Sequence, residues 1–462
     1  MKRLILALLA AVIMATAAAQ TYNMEVSLKN GNKITVAADS VSEVRFVKLT
    51  TSPEDVFNIL TEEYIPDPVL RDSIRSQVAK GAETLTNIEA AKYTGILSLR
   101  GIEKSLKGLE FFSGITQLLL SYSQIETFDA VPFKDLTYLY LENNSKMTSV
   151  NLAGLEKLEE LQLNYCRALE NFDMTKLPSS IKVLSIKSLK LTSIDISSMP
   201  LLERLSCEQN SITSIAITNN TVIKSISCGS NKLESLSVAG CTNLQRLTAG
   251  SNNSLASVDI SGCQSLETLA LMNTRISEID VQPIRNSLKI LTLSQCPISS
   301  IDLNGCYKLE QLSLNGTQVN GDISFPSCVN LQRFRIENTN VKTLDLSHNP
   351  QLFEIHCYDV PNIESVTLAD NLTELYQLNI WAAPKLKSLT WGRTYKLGYA
   401  NIYNTGLPRL DISKVNHDMG GMSLKNPFMT EIKVWEGFDI ANPPTNIKKN
   451  EETKFVYEFT QE

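Results

Sequence analysis

The chain has 462 residues, an apolar share of 43% and a net charge of −6 with both signs interspersed. That apolar share excludes a disordered chain, and without a dense Lys/Arg stretch the basic face of a nucleic-acid binder is excluded too. The length would suggest about three domains, but a repetitive chain grows one unit at a time and escapes that expectation.

In chain order, Lys2 and Arg3 precede an apolar run from Leu4 to Met14, and Ala17-Ala18-Ala19 precedes Gln20. This is the layout of a cleavable signal peptide over 1–19, its apolar run too short for a membrane span. No Cys follows the apolar run, so a lipid-anchored route is not expected. The mature chain is expected to be secreted, periplasmic or at the cell surface, with no membrane span. Residues 20–51 read as a small β unit. Met24, Val26 and Leu28 alternate, Asn30-Gly31 signals a tight turn, Ile34 and Val36 alternate again, and Val44 and Phe46 suggest a third strand. Ser52-Pro53 reads as the start of a helical segment, with Ser52 as N-cap and Pro53 at the first helical position.

A repeat then fills residues 93–436. A clear unit runs from Leu202 to Ile217, and the next from Ile223 to Val238, on the plan LxxLxLxxNxLxxLxL. Its anchors are Leu97, Leu118, Leu139, Leu161, Leu184, Leu205, Ile226, Leu247, Leu269, Leu291, Leu312, Phe334, Ile355, Leu378, Ala400 and Met422, spaced about 21 to 23 residues apart. The LxL core predicts a short strand with its Leu side chains inward and the intervening residues toward solvent. A second alternating element, such as Ile215-Ala216-Ile217 or Leu344-Asp345-Leu346, predicts an extended segment on the opposite wall. The bend residues Asn144, Asn210, Asn231 and Asn252 should hydrogen-bond backbone groups of neighbouring turns that burial would otherwise leave unpaired. Residues 437–462, with Trp435 and Phe438 just before and at their start and the strand-like Lys454–Phe459, are expected to cover the last turn.

The repeat plan, from about Tyr93 to Val434, resembles the leucine-rich-repeat superfamily. Upstream, Ile65–Arg71, Leu85–Ala91 and Gly108–Phe111 follow one another in an order similar to the helical N-terminal cap of bacterial internalin-like secreted repeat proteins. The resemblance implies an α/β leucine-rich-repeat right-handed solenoid, predominantly of short parallel β-strands with little helix, and a helical N-terminal cap over 52–92. Many such caps carry an Asp-rich loop resembling a calcium site. Here Gln77–Glu83 lacks the alternating carboxylates, so no metal is expected. The resemblance also implies binding through the concave sheet.

The nine cysteines sit on repeat positions. Cys207, Cys228 and Cys357 replace the second Leu of LxL, Cys166 and Cys296 take the bend position, and Cys241, Cys263, Cys306 and Cys328 each precede an anchor by six residues. Small buried free thiols are expected, since a disulfide framework need not follow the repeat phase; the alternative is a bridge between neighbouring turns, Cys241 with Cys263 or Cys306 with Cys328, within disulfide reach in an oxidising compartment. No catalytic constellation emerges. There is no GxSxG elbow, P-loop or GxGxxG after a strand. His348 reads as a loop residue, and His417-Asp418 has no nucleophile beside it. Carboxylates such as Asp195 and Asp259 read as solvated positions. No enzyme activity and no cofactor are expected.

What the plan leaves unexplained is the outward-facing content of the late turns. In the middle turns these positions are small, as in Ser225, Ser227 and Gly229. Later they become Arg333, Arg335 and Glu337, then Glu354, His356 and Tyr358, then Gln377, Asn379 and Trp381, then Tyr399, Asn401 and Tyr403. Tyr358, Trp381 and Tyr403 share one position and should form a ladder. Arg333, Arg335, His356, Tyr358, Asn379, Trp381, Tyr399 and Tyr403 are therefore the candidate ligand-binding residues, because flat aromatic area beside orienting polar groups suits a protein or glycan partner. A weaker second patch comprises Tyr122, Tyr138, Tyr140, Gln162, Asn164 and Tyr165. The expected function is that of a monomeric, non-enzymatic recognition protein outside the cytoplasm with a protein partner, host-surface adhesion being one role the resemblance implies. The alternative is a glycan-binding protein of the cell envelope.

Overall fold

The computed structural model describes residues 23–27, 33–37, 56–169 and 172–461. The chain divides into two compact units, Met1–Val56 and Phe57–Glu462. In the first, strands Asn23–Ser27 and Lys33–Ala37 pair antiparallel with Met24 opposite Val36 and Val26 opposite Ile34, which is the alternation read from the sequence. The signal-like segment, the Asn30-Gly31 turn, the third strand at Val44 and Phe46 and the Ser52-Pro53 helix start all lie outside the described residues.

The second unit opens with two short helices. Helix α1, Pro68–Gln77, starts where Asp67 supplies the N-cap and Pro68 the first helical position, and it buries Leu70 and Ile74. Helix α2, Asn87–Lys92, begins at a reciprocal capping box between Thr86 and Glu89. Asp67 also ties α1 to the first bend. Its carboxylate is fully buried and accepts from the backbone N–H groups of Leu70 (3.0 Å), Glu103 (3.0 Å) and Lys104 (2.7 Å). Burial alone would push this carboxyl up, but the N–H groups of Leu70, Lys104, Glu103 and Ser105 together hold it below the usual range.

From Ile96 onward the backbone stacks into one parallel sheet of seventeen strands among the described residues. It begins at Ile96–Arg100 and ends at Ile447–Lys449. Each anchor read from the sequence stands opposite the next, from Leu97 with Leu118 through Leu205 with Ile226 to Ala400 with Met422. All are buried, because a strand's side-chain period of two sends the anchor and its second neighbour to the same face. The chain past Phe438 stays in the stack. Ile447 pairs opposite Met422, and Lys454–Val456 pairs with Glu431–Lys433 on the opposite wall. That wall is built from shorter parallel ladders such as Ser193–Asp195 with Ser214–Ala216 and Ser235–Ser237 with Ser257–Asp259. The outer edge of the first strand is met by a side chain, since Gln77 of α1 donates to the Ser98 carbonyl (2.7 Å) and accepts from its N–H (2.9 Å).

Turning each strand out of the sheet takes the same backbone conformation every time. The residue four after the anchor is left-handed in fifteen successive turns, from Gly101 through Tyr122, Asn143 and Tyr165 to Ala382 and Asn404, with φ from 49° to 70°. Only two of the fifteen are Gly, at 101 and 316. For the others the conformation costs roughly 1–2 kcal/mol, least for Asn and Asp. Where the next residue is Asn, it ties the bend to the preceding turn. Asn144, Asn210, Asn231 and Asn252 donate to the carbonyls of Leu120, Ile186, Cys207 and Cys228 and accept from the N–H groups of Ser123, Leu189, Ile212 and Leu233.

The cysteines fill equivalent slots, and all nine are free and buried. At the bend, Cys166 and Cys296 donate to the carbonyls of Leu141 and Leu271, as Asn does elsewhere. Six residues before the anchor, the Cys241 and Cys263 thiols donate to the carbonyls of Ile217 and Val238, while in a later turn Asn349 donates to that of Phe325. Burial pushes the Cys228 and Cys357 thiols up to about 12, so they stay protonated. Asp195, Asp259, Asp302, Asp345 and Asp411 each accept from the N–H two residues on, so these carboxylates fasten turns.

Two outcomes test this account. Replacing Asp67 by Ala should speed amide hydrogen exchange at Leu70, Glu103 and Lys104, since a buried donor without a partner costs about 1–3 kcal/mol; unchanged protection there would contradict the tie. The Asp67 contribution should be complete above the ordinary carboxylate range and fade as pH falls through its own lower value. At position 382, Ala382→Gly should raise the melting temperature and Ala382→Val should lower it, because only the first relieves the left-handed strain.

Candidate functional site

The late turns present their outward residues on the main sheet between strands Arg333–Glu337, Glu354–Tyr358, Gln377–Ala383 and Tyr399–Thr405. These strands are longer than the three-residue strands of the middle turns, so register is held as far as the third residue past the anchor. Tyr358 pairs opposite Trp381, and Trp381 opposite Tyr403. Their rings form a ladder, with centroids 4.7 and 5.8 Å apart and planes within 1°. The left-handed kink at Asp359, Ala382 and Asn404 follows each ring directly and fixes its direction.

Beside the ladder runs a polar chain. Arg335 Nη2 lies 2.8 Å from Glu354 Oε1, and Arg333 Nε lies 3.5 Å from Oε2. His356 Nε2 is also 2.8 Å from Oε1. An ionised carboxylate only accepts, so the neutral ring carries its hydrogen on Nε2. Asn379 Nδ2 lies 3.2 Å from the same ring nitrogen, which cannot accept from it while it donates to Glu354, and Asn401 donates to Asn379 Oδ1 at 2.8 Å. Partial burial pulls the His356 imidazole below its ordinary value. The Glu354 carboxylate opposes that shift and Arg335 adds to it. Burial and the Glu337 carboxylate push the Tyr358 phenol up.

The structure thus brings together Arg333, Arg335, His356, Tyr358, Asn379, Trp381 and Tyr403 on one face. Asn379 is itself buried and serves the network. Tyr399 falls on the opposite edge. There it meets Tyr376 edge to face at 6.1 Å, and Tyr376 stacks on Phe353 at 5.7 Å. All three of these rings are exposed, and Arg333 lies 5.6 Å over the Phe353 ring. Sequence reasoning missed Phe353 and Tyr376 because they lie two residues before their anchors, where strand alternation points inward. The strands there begin one residue later, so both rings stand at the corner. A signal was available. The same position carries Glu159, Lys182, Glu203 and Lys224 in earlier turns, with ion pairs Lys182–Glu159 (2.9 Å) and Lys224–Glu203 (2.8 Å), and it turns aromatic where the ladder begins. Glu354, the carboxylate on which both arginines and the histidine converge, was also missed as a site residue.

The second patch does not assemble as a comparable row. Tyr122 and Tyr165 occupy the left-handed bend position, and Arg100 covers the Tyr122 ring at 4.3 Å. Asn164 is buried and accepts from Ser185 Oγ and the Lys187 N–H. Gln162 Nε2 reaches Tyr138 Oη at 3.4 Å. The His417 ring stacks on Trp435 at 4.3 Å, and Asp418 accepts from Asn416; His348 sits exposed beside Ser347.

Comparison with solved structures settles the fold. The functional domain of InlJ from Listeria monocytogenes, described as including a cysteine ladder, superposes with a TM-score of 0.63 at 22% identity, covering 86% of this chain and 81% of that one. An internalin, InlF, from the same organism gives 0.53 at 22%, covering 72% and 97%. A leucine-rich-repeat protein of Leptospira interrogans gives 0.53 at 19%, covering 67% and 89%. This chain is a leucine-rich-repeat solenoid. No family model matches it, and no curated protein matches it. Among the described residues no helix is long and apolar enough to cross a membrane, and no cluster of three or more His, Cys, Asp or Glu could hold a metal ion.

The electrostatics can be checked directly. The His356 imidazole should titrate below 6.5 by NMR, and Glu354→Gln should move its midpoint lower still by removing the group that favours the charged ring. A midpoint unmoved by that substitution would mean the contact is absent in solution.

Proposed function

We propose that this solenoid is a non-enzymatic recognition protein that binds a protein partner outside the cytoplasm, through the main-sheet surface of its late turns. The observation that carries this reading is the aromatic ladder of Tyr358, Trp381 and Tyr403 beside the Arg333–Arg335–Glu354–His356 cluster. Rings already stacked on one another lose little freedom on binding, and aromatic and Arg side chains dominate protein interfaces. The signal-like N-terminus supports export. We read α1 and α2 as the cap that shields the apolar end of the first turn, since α1 sets Leu70 and Ile74 in the core and Gln77 on the strand edge.

A glycan partner is less well served. Sugars dock their C–H faces on aromatic faces, and here the ladder covers most ring faces with neighbouring rings.

The double substitution Trp381→Ala, Tyr403→Ala should reduce capture of surface proteins by the purified chain at least thirtyfold, the equivalent of about 2 kcal/mol for a hot spot, with circular dichroism unchanged. Undiminished capture would place the interface elsewhere; ligands found only on a glycan array would favour the envelope glycan reading.

A further inference from the structure

The recognition surface has two aromatic edges, and their dimensions select a shape of partner. Tyr358, Trp381 and Tyr403 line one edge, and Phe353, Tyr376 and Tyr399 line the other. The position three after the anchor becomes aromatic in the three turns anchored by Ile355, Leu378 and Ala400, and the position two before the anchor in the first two of them; in the third that position is Gly398, and Tyr399 beside it completes the edge. The edges stand up to five residues apart along a strand, about 16 Å at 3.3 Å per residue. Between them lies the low floor formed by His356, which donates to Glu354, and by Asn379 and Asn401, which bond to each other.

From one turn to the next the ring centroids stand 4.7 and 5.8 Å apart on one edge and 5.7 and 6.1 Å apart on the other. An extended segment laid in this channel offers same-side side chains only every ~6.6 Å, twice its rise per residue. A helix repeats every ~5.4 Å and is about 10–12 Å across, which fits both the step and the separation. Ring edges are the electropositive part of an aromatic, and on the ladder it is the edges that face outward. Charge points the same way. From Arg333 to Lys448 the outward positions of the main sheet hold four cations, Arg333, Arg335, Lys425 and Lys448, against two carboxylates, Glu337 and Glu354, in a chain whose net charge is −6.

The geometry points to an acidic amphipathic α-helix of the partner protein as the occupant, lying along the solenoid axis between the two aromatic edges. Its apolar ridge runs over the ring edges, and its carboxylates reach Lys425 and Lys448 at the C-terminal end of the channel. This inference rests on the reading of the surface as a protein-binding face.

The test uses the full chain against two display libraries, one of surface-randomised helices on a fixed helical scaffold and one of unstructured peptides of equal length, with a glycan array alongside. The helical library should yield binders enriched in Asp and Glu. Their affinity should fall at least tenfold on Trp381→Ala and, separately, on Tyr376→Ala at the other edge, and should weaken as salt rises. Binders from the unstructured library alone, glycan ligands alone, no binders at all, or helical binders indifferent to both substitutions would each overturn the helix. If surface-protein capture still depends on Trp381 and Tyr403 while helices fail, the face stands and only the shape of its occupant is wrong. If capture is indifferent to those residues, the functional reading itself has failed.

Discussion

A repeat this short must leave its sheet by an abrupt reversal and still pair the peptide groups it buries. Everything else in the molecule depends on how that reversal is made. A left-handed residue turns the chain, and where Asn follows it, as at Asn144, that side chain reaches back to the previous turn to occupy both a carbonyl and an N–H; in the ladder turns Val360 and Ala383 follow instead and are buried. Where Asn makes that tie, its bonds offset the strain, since leaving those buried groups unpaired would cost more than the strain itself. Because the reversal recurs at one position, the residue before it points the same way in every turn. The ladder of Tyr358, Trp381 and Tyr403 is possible only because that direction repeats.

The same logic explains why chemically different side chains are interchangeable in one slot. Asn210, Cys296 and Thr317 all stand at the bend, where the first two donate to a carbonyl of the preceding turn and Thr317 to that of Leu314 in its own turn. A thiol held protonated by burial is a donor of the right size, so the cysteines read as members of a donor series. The repeated Asp residues of the opposite wall form a second series, fastening the chain two residues on.

Much of this was legible in the residues. The anchors were readable because Leu and Ile recur at a fixed period, and the bend asparagines because a buried reversal demands an amide. The left-handed position was not, because its occupants include Tyr122, Ser188, Gln209 and Ala382, none of which advertises a positive φ as Gly would. The tie from Asp67 to the first bend passed unnoticed because its partners, the N–H groups of Glu103 and Lys104, lie far along the chain. Of the candidate site, the ladder was visible from phase alone. The second edge was not, since Phe353 and Tyr376 precede their strands and escape the alternation rule. In the weaker N-terminal patch, the bend position of Tyr122 and Tyr165 could not be read from the sequence, because neither residue advertises a positive φ.

The two aromatic rows also have a mechanical meaning. They stand near opposite ends of the same strands, so bending the stack in the plane of the sheet would compress the rings of one row and pull those of the other apart. Rings already near contact, at 4.7 to 6.1 Å between centroids, resist the first, and lost contact opposes the second. These three turns are splinted from both sides, while the middle turns, with Ser227, Gly229 and Gly250 at the outward positions, have no such brace. The two rows thus hold the spacing of these three turns from both sides of the sheet, at the surface proposed for recognition.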